Sequence, residues 1–194
     1  VYKRQAQVDA RLGAARGMAE FSAARAATSM NAAQIAQPDL SLWADGRIEA
    51  YRRSLTDLTV SPAGVLRIPS LGLEVPIFDG TDELVLNRGV GLIEGTSMPG
   101  ESGNLGIAGH RDGFFRVLKD IRPGDTISVE HLYGQVQYRV TETFIVDPEE
   151  TWVLKDEGDE MVTLVTCYPF YFVGHAPQRF IVRGLVAGKE GPGV

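Results

Sequence analysis

From Gly64 to Val186 the chain is a succession of short β-rich runs separated by turns that carry glycine or proline. That texture excludes long helices and predicts a β-barrel or β-sandwich. Val65–Pro69 and Leu73–Phe78 read as the first strands, and Pro69 and Pro76 mark edges or bends, because proline donates no ladder hydrogen bond. Thr126–Glu130 and Gln135–Val146 read as a hairpin about Leu132-Tyr133-Gly134, and Val162–Thr166 and Arg179–Val186 as the last two strands. One short helix is expected over Asp112–Lys119, with Asp112 as its cap and Phe114, Phe115 and Leu118 on one side.

The N-terminal third has a different character. Ala6–Ala36 holds twelve alanines and no proline, which favours helix but offers few large side chains for burial. Residues 6–37 are therefore expected to form a solvated helical stalk or linker, ended at Pro38. Within 38–60, Leu40, Trp43, Ile48, Tyr51, Leu55 and Leu58 recur at helical spacing, predicting a helix over about 41–57 that docks on the domain at 61–188. Residues 189–194 read as a tail. The chain opens Val1-Tyr2-Lys3-Arg4-Gln5 without methionine, the translation of a common sequencing-adapter end; residues 1–5 are read as non-native and set aside. Any targeting segment or membrane anchor is expected upstream of them. No apolar run of membrane-spanning length occurs in the chain. The net charge of -6 excludes nucleic acid as a partner, since that binding needs a basic stripe.

A single cysteine, Cys167, rules out an internal disulfide and stands where an apolar strand ends. His110 ends another apolar run, Asn104–Gly109, and Arg179 opens the final strand twelve positions after the cysteine. A thiolate is the active nucleophile, a nearby imidazolium or guanidinium lowers the thiol pKa, and an arginine fork can hold a tetrahedral oxyanion. Taken without further context, a lone cysteine beside the aromatic run Tyr168–Phe172 also fits a core residue.

Gly103-Asn104-Leu105-Gly106-Ile107-Ala108-Gly109-His110-Arg111-Asp112 resembles the histidine motif of sortases, and Thr163-Leu164-Val165-Thr166-Cys167 resembles their Thr-Leu-X-Thr-Cys motif. Arg179 stands where their arginine closes the following loop, and His110 and Cys167 are 57 positions apart in the matching order. Tyr168-Pro169-Phe170 and Pro177-Gln178-Arg179-Phe180 resemble class D members, and Trp43 with Arg47–Tyr51 resembles the helical lead-in of proteobacterial sortases. The resemblance spans about Gly64–Val186. It implies a mostly β fold, a closed eight-stranded barrel with short helices behind an N-terminal helical extension. It also implies a membrane-anchored envelope enzyme that acts outside the cytoplasm. Such an enzyme cleaves a C-terminal Leu-Pro-X-Thr-Gly/Ala-like signal after threonine and passes the acyl group to an amine acceptor, a peptidoglycan precursor or another protein. By the same resemblance Cys167 is the nucleophile, His110 the proton-transfer partner and Arg179 the oxyanion stabiliser, with no cofactor required.

Other residues carry two readings each. Thr166, Tyr168, Phe170, Phe172 and His175 are candidates for substrate contact; the aromatics fit core equally well, and His175 reads first as loop surface. Asp112 reads as a helix cap ahead of a His110-orienting carboxylate, and His131 as a solvated turn residue. Asp147, Glu149, Glu150, Asp156, Glu157, Asp159 and Glu160 read as a solvated acidic face in preference to a calcium site, because their spacing matches no metal loop. Among rival functions, an L,D-transpeptidase needs its histidine and cysteine in one short cluster, and a papain-like protease needs the reverse order. A sortase-like hydrolase and a non-catalytic peptide-binding barrel stay open as alternatives.

Overall fold

Glycine and proline punctuation cuts the chain into eight strands: β1 (Gly64–Ile68), β2 (Leu73–Asp79), β3 (Val90–Leu92), β4 (Asn104–Gly109), β5 (Thr126–His131), β6 (Gly134–Val146), β7 (Met161–Tyr168) and β8 (Gln178–Val186). The computed structural model describes residues 37–57, 59–171 and 176–187; the stalk, the tail, Leu58, Phe172 and His175 lie outside the described residues. The strands close into a barrel in the order β1-β2-β3-β4-β7-β8-β6-β5. The pairs β2·β3 and β4·β7 are parallel and the other six are antiparallel. Closure leaves no free sheet edge, so short strands suffice. Pro76 sits one residue before β2 begins to pair with β3, where its missing N–H leaves no gap in that ladder.

Side chains from the strands fill the barrel: Leu66, Ile77, Ile107, Ile127, Leu164 and Val182 are all fully buried. The helix expected over Asp112–Lys119 starts two residues later and ends one residue later. The segment is a 3₁₀ helix over Phe114–Asp120 that begins after Gly113 without a side-chain cap. It drives Phe115 and Leu118 into the core. Asp112 lies outside the helix because its carboxylate is engaged by Arg47.

The helix before the barrel, α1 (Asp45–Ser54), is shorter than the sequence predicts. Its first residue follows a turn in which the Asp39 carboxylate accepts from the Ser41 amide at 2.9 Å. Trp43 and Tyr51 pack edge-on against Phe114, with ring centroids 4.8 and 5.9 Å away, so the lead-in is pinned to the barrel through aromatic contacts. Leu55 faces solvent, since the helix ends before it. A second helix, α2 (Glu83–Arg88), is capped by Asp82, whose side chain accepts from the Val85 amide at 3.0 Å.

Candidate active site

Parallel pairing of β4 with β7 sends both C-terminal ends to the same rim of the barrel. The ladder ends with Gly109 beside Thr166, so His110, the first residue past β4, and Cys167, still within β7, come next at the same rim. On the other flank of β7, antiparallel β8 starts at that rim with Arg179 directly opposite Cys167. Residues opposite one another in an antiparallel pair project from the same face. Cys167 and Arg179 are therefore same-face neighbours, and the sheet order β4-β7-β8 gathers three residues that the sequence spreads over seventy positions.

Local contacts stiffen this rim. The Thr166 hydroxyl, buried with its residue, donates to the Gly109 carbonyl at 2.8 Å and ties the residues preceding His110 and Cys167 together. Gly109 lets the Phe115 ring lie against the backbone: a Cβ there would be 2.6 Å from the ring. The His110 carbonyl accepts from the Gly113 and Phe115 amides, both at 3.2 Å. Arg111 donates to the Pro169 carbonyl at 3.2 Å, fastening the turn after His110 to the turn after Cys167.

The Cys167 thiol is free and half-buried. Arg179 donates through Nη1 to the Gln178 carbonyl at 3.0 Å and the Ala176 carbonyl at 3.4 Å, which anchors the guanidinium at the start of β8. The His110 side chain is 20% exposed, and Glu83 Oε2 lies 3.6 Å from its Nε2. Nε2 has no hydrogen-bond partner among the described residues. Burial, followed by the nearby Arg47 guanidinium, lowers the His110 pKa below its ordinary value; Glu83 and Asp112 pull the other way.

The remaining candidates divide. Tyr168, Phe170 and Phe180 form a ring cluster with centroids 5.3 to 6.3 Å apart, and Phe170 belongs to the core. Tyr171 is exposed, with the Arg116 guanidinium 4.9 Å above its ring. The hydroxyl of Thr166 points to backbone beside the site, in a buried position. His131, expected to be solvated, is instead buried, because β5 extends through it and Gly100 lies against its ring. The acidic stretch is dispersed: Glu160 accepts from Ser102, Glu157 pairs with Arg183 at 3.6 Å, and Asp156 accepts from the Gly158 amide. No group of three or more His, Cys, Asp or Glu among the described residues is arranged to hold a metal ion.

Sequence reasoning missed Arg47, Glu83 and Asn87, which surround Asp112 and His110 from α1 and α2. The signals at hand were the place of Arg47 on a helix whose apolar side docks on the barrel and in the Arg47–Tyr51 lead-in resemblance; neither joins these residues to the histidine.

The sortase domain family model matches residues 66–187. Sortase D of Bacillus subtilis (strain 168) is 39% identical over 128 residues, 65% of this chain and 64% of that protein. Sortase A of Bacillus anthracis is 29% identical over 165 residues, 83% of this chain and 72% of that protein. Thus the chain spans less than two thirds of the length of the B. subtilis relative. Among solved structures, a Clostridium perfringens sortase D5 transpeptidase is similar with a TM-score of 0.61 and 30% identity, over 73% of this chain and 89% of that one. Sortase C1 of GBS pilus island 1 matches with a TM-score of 0.61 and 28% identity, over 77% and 85%.

Proposed function

The chain belongs to the sortase family, and from that premise we propose that it is a cysteine transpeptidase with Cys167, His110 and Arg179 as its catalytic residues. The single observation that carries this reading is the register at the rim, with Cys167 opposite Arg179 and Gly109 beside Thr166. A thiol, an imidazole and a fixed guanidinium on three adjacent strands supply the three functions that acyl transfer needs.

In the proposed reaction the Cys167 Sγ thiolate attacks the threonine carbonyl carbon of a Leu-Pro-X-Thr-Gly/Ala-like signal. The tetrahedral oxyanion lies against the Arg179 guanidinium. As the intermediate collapses, the C–N bond breaks, protonated His110 gives its proton to the departing amine, and a thioester remains. An incoming primary amine then attacks the thioester, His110 takes the proton the amine loses, and the new amide forms as Sγ departs as thiolate. No cofactor enters either step. The acceptor is a peptidoglycan precursor or another protein, and the enzyme works at the outer side of the cytoplasmic membrane, held by a segment upstream of this chain. No helix among the described residues is long and apolar enough to cross a membrane. Tyr168, near Phe170 and Phe180, is proposed to border the peptide groove; Phe172 and His175 are carried as substrate contacts on sequence grounds alone.

The test is intact-mass spectrometry of the chain with a pooled Leu-Pro-X-Thr-X peptide library, with and without added amine, beside Cys167→Ala. An acyl adduct on the wild type alone, chased by amine into a new amide, is the expected result. Release only by water would indicate a hydrolase instead. No adduct from any peptide, on folded protein with a reactive thiol, would favour a peptide-binding barrel and overturn the proposal.

A further inference from the structure

Arg47 is the one side chain of α1 that reaches the histidine end of the barrel through a polar network. Its side chain is 17% exposed, its Nε lies 3.2 Å from Asp112 Oδ1, and its Nη2 lies 3.5 Å from Asp112 Oδ2. Nη1 donates to the Asn87 side-chain oxygen and lies 3.4 Å from Glu83 Oε1. The other oxygen of that same Glu83 carboxylate, Oε2, is the atom 3.6 Å from His110 Nε2. One carboxylate therefore stands between two cationic groups, a permanently charged guanidinium and a titrating imidazole. Gly113 marks how close these groups come: a Cβ on it would lie 3.6 Å from His110 Cβ and 3.7 Å from Arg47 Cδ.

We propose that Arg47 is a positioning residue for His110, contributed by the helix that precedes the barrel: it engages Glu83 and Asp112 so that neither carboxylate captures the imidazole. The inference rests on the catalytic role proposed for His110. A tighter ion pair with Glu83 would hold His110 as a pinned imidazolium, slow to give its proton to a leaving amine. With Arg47 in place the two carboxylates are neutralised from the far side, and Glu83 meets Nε2 only at 3.6 Å, longer than a close hydrogen bond. The charged or titratable groups around His110 are Arg47 from α1, Glu83 from α2, Asp112 and Arg111 from the turn after β4, Cys167 from β7 and Arg179 from β8. Arg111 is drawn to the Pro169 carbonyl and Arg179 to the start of its own strand, so Arg47 is the cation that meets both carboxylates. The lowered pKa of His110, with burial as its largest cause and Arg47 next, agrees with this geometry.

The test titrates the His110 ring protons by NMR in the wild type, Arg47→Gln, Glu83→Gln and the double variant, with the resonance assigned by its loss in His110→Gln. Arg47→Gln should raise the His110 midpoint, and Glu83→Gln should lower it. The double variant should return toward wild type. Glu83 is 71% exposed, so its substitution leaves the fold undisturbed even if Arg47→Gln loosens α1. In transpeptidation, Arg47→Gln should lower kcat roughly tenfold, part of the ~10²–10⁴ a positioned acid–base group supplies, with KM nearly unchanged. The double variant should recover most of that loss. A midpoint unmoved by Arg47→Gln, or a double variant as impaired as the single one, would reduce Arg47 to a strut and overturn the inference. Because the titration needs no substrate, it decides the role of Arg47 even if no peptide is processed, an outcome that would count against the proposed function alone.

Discussion

Substituting Gly109 with alanine should damage both the fold and the reaction, because one added methyl meets a ring that cannot retreat. The new Cβ would lie 2.6 Å from Phe115 Cδ2 and 2.7 Å from Cγ. Carbon atoms rest at about 3.5–4.0 Å, so strand or ring must yield roughly 1 Å. Neither side gives easily: Phe115 is fully buried, and β4 is paired on both flanks, to β3 and β7. Overpacking of this kind costs about 1–3 kcal/mol. Alanine also restricts the unfolded chain, which offsets about 0.4–1 kcal/mol, and Gly109 has no positive φ that would add backbone strain. The net loss should be roughly 1–2 kcal/mol, a fall in Tm of about 2–8 °C for a chain of this size. The kinetic effect should be larger than the thermodynamic one. His110 follows directly, and a shift of about 1 Å in a reacting group costs on the order of 100-fold. Calorimetry and the transpeptidation assay would be run on Gly109→Ala, Phe115→Leu and the double variant. Relief of the clash should make the double variant more stable than the two single losses add up to, with part of the turnover restored. Wild-type Tm and turnover in Gly109→Ala, or strict additivity in the double variant, would refute the reasoning.

Asn104 is buried on β4, where Nδ2 donates to the Val153 and Lys155 carbonyls at 3.1 and 3.2 Å while Oδ1 accepts from the Thr163 hydroxyl at 2.8 Å. Asn104→Ala strips the Lys155 carbonyl of its Asn104 donor, while the Val153 carbonyl keeps Arg183 Nη2 at 3.3 Å and the Thr163 hydroxyl keeps the Val153 carbonyl at 3.5 Å, so urea unfolding should show a loss of about 1–3 kcal/mol, and no measurable loss would sink the account. Burial lowers the His131 pKa below its ordinary 6.5. Between that lowered value and 6.5 the unfolded chain binds a proton the folded one refuses, so stability falls as the pH drops through this window. His131→Leu should flatten that acid-side loss when urea midpoints are compared across the window, and an unchanged slope would contradict it. EDTA should leave Tm and transpeptidation rate unchanged; a drop in either would reopen calcium binding by the acidic stretch.

Much of this protein was legible in the order of its residues. Alternation, apolar runs and turn residues located the strands, because a strand's pleat and a turn's backbone demands are local properties. The motifs around His110, Cys167 and Arg179 brought the family into view, and family membership carries the closed barrel with it. Where local rules competed with tertiary ones, the sequence reading slipped. Asp112 has the composition of a helix cap, yet the guanidinium of Arg47, sixty-five positions away, claims its carboxylate. His131 looks like a turn residue, yet strand pairing carries β5 through it and buries the ring. The sequence by itself determined the strand texture, the reactive residue types and the apolar side of the helix before the barrel, since each depends on residues close along the chain. Only the tertiary structure decided that β4, β7 and β8 lie adjacent in that order, setting Cys167 against Arg179, and that Arg47 and Glu83 meet at His110. Those contacts depend on which distant surfaces are buried together when the barrel closes, and no local spacing encodes that choice.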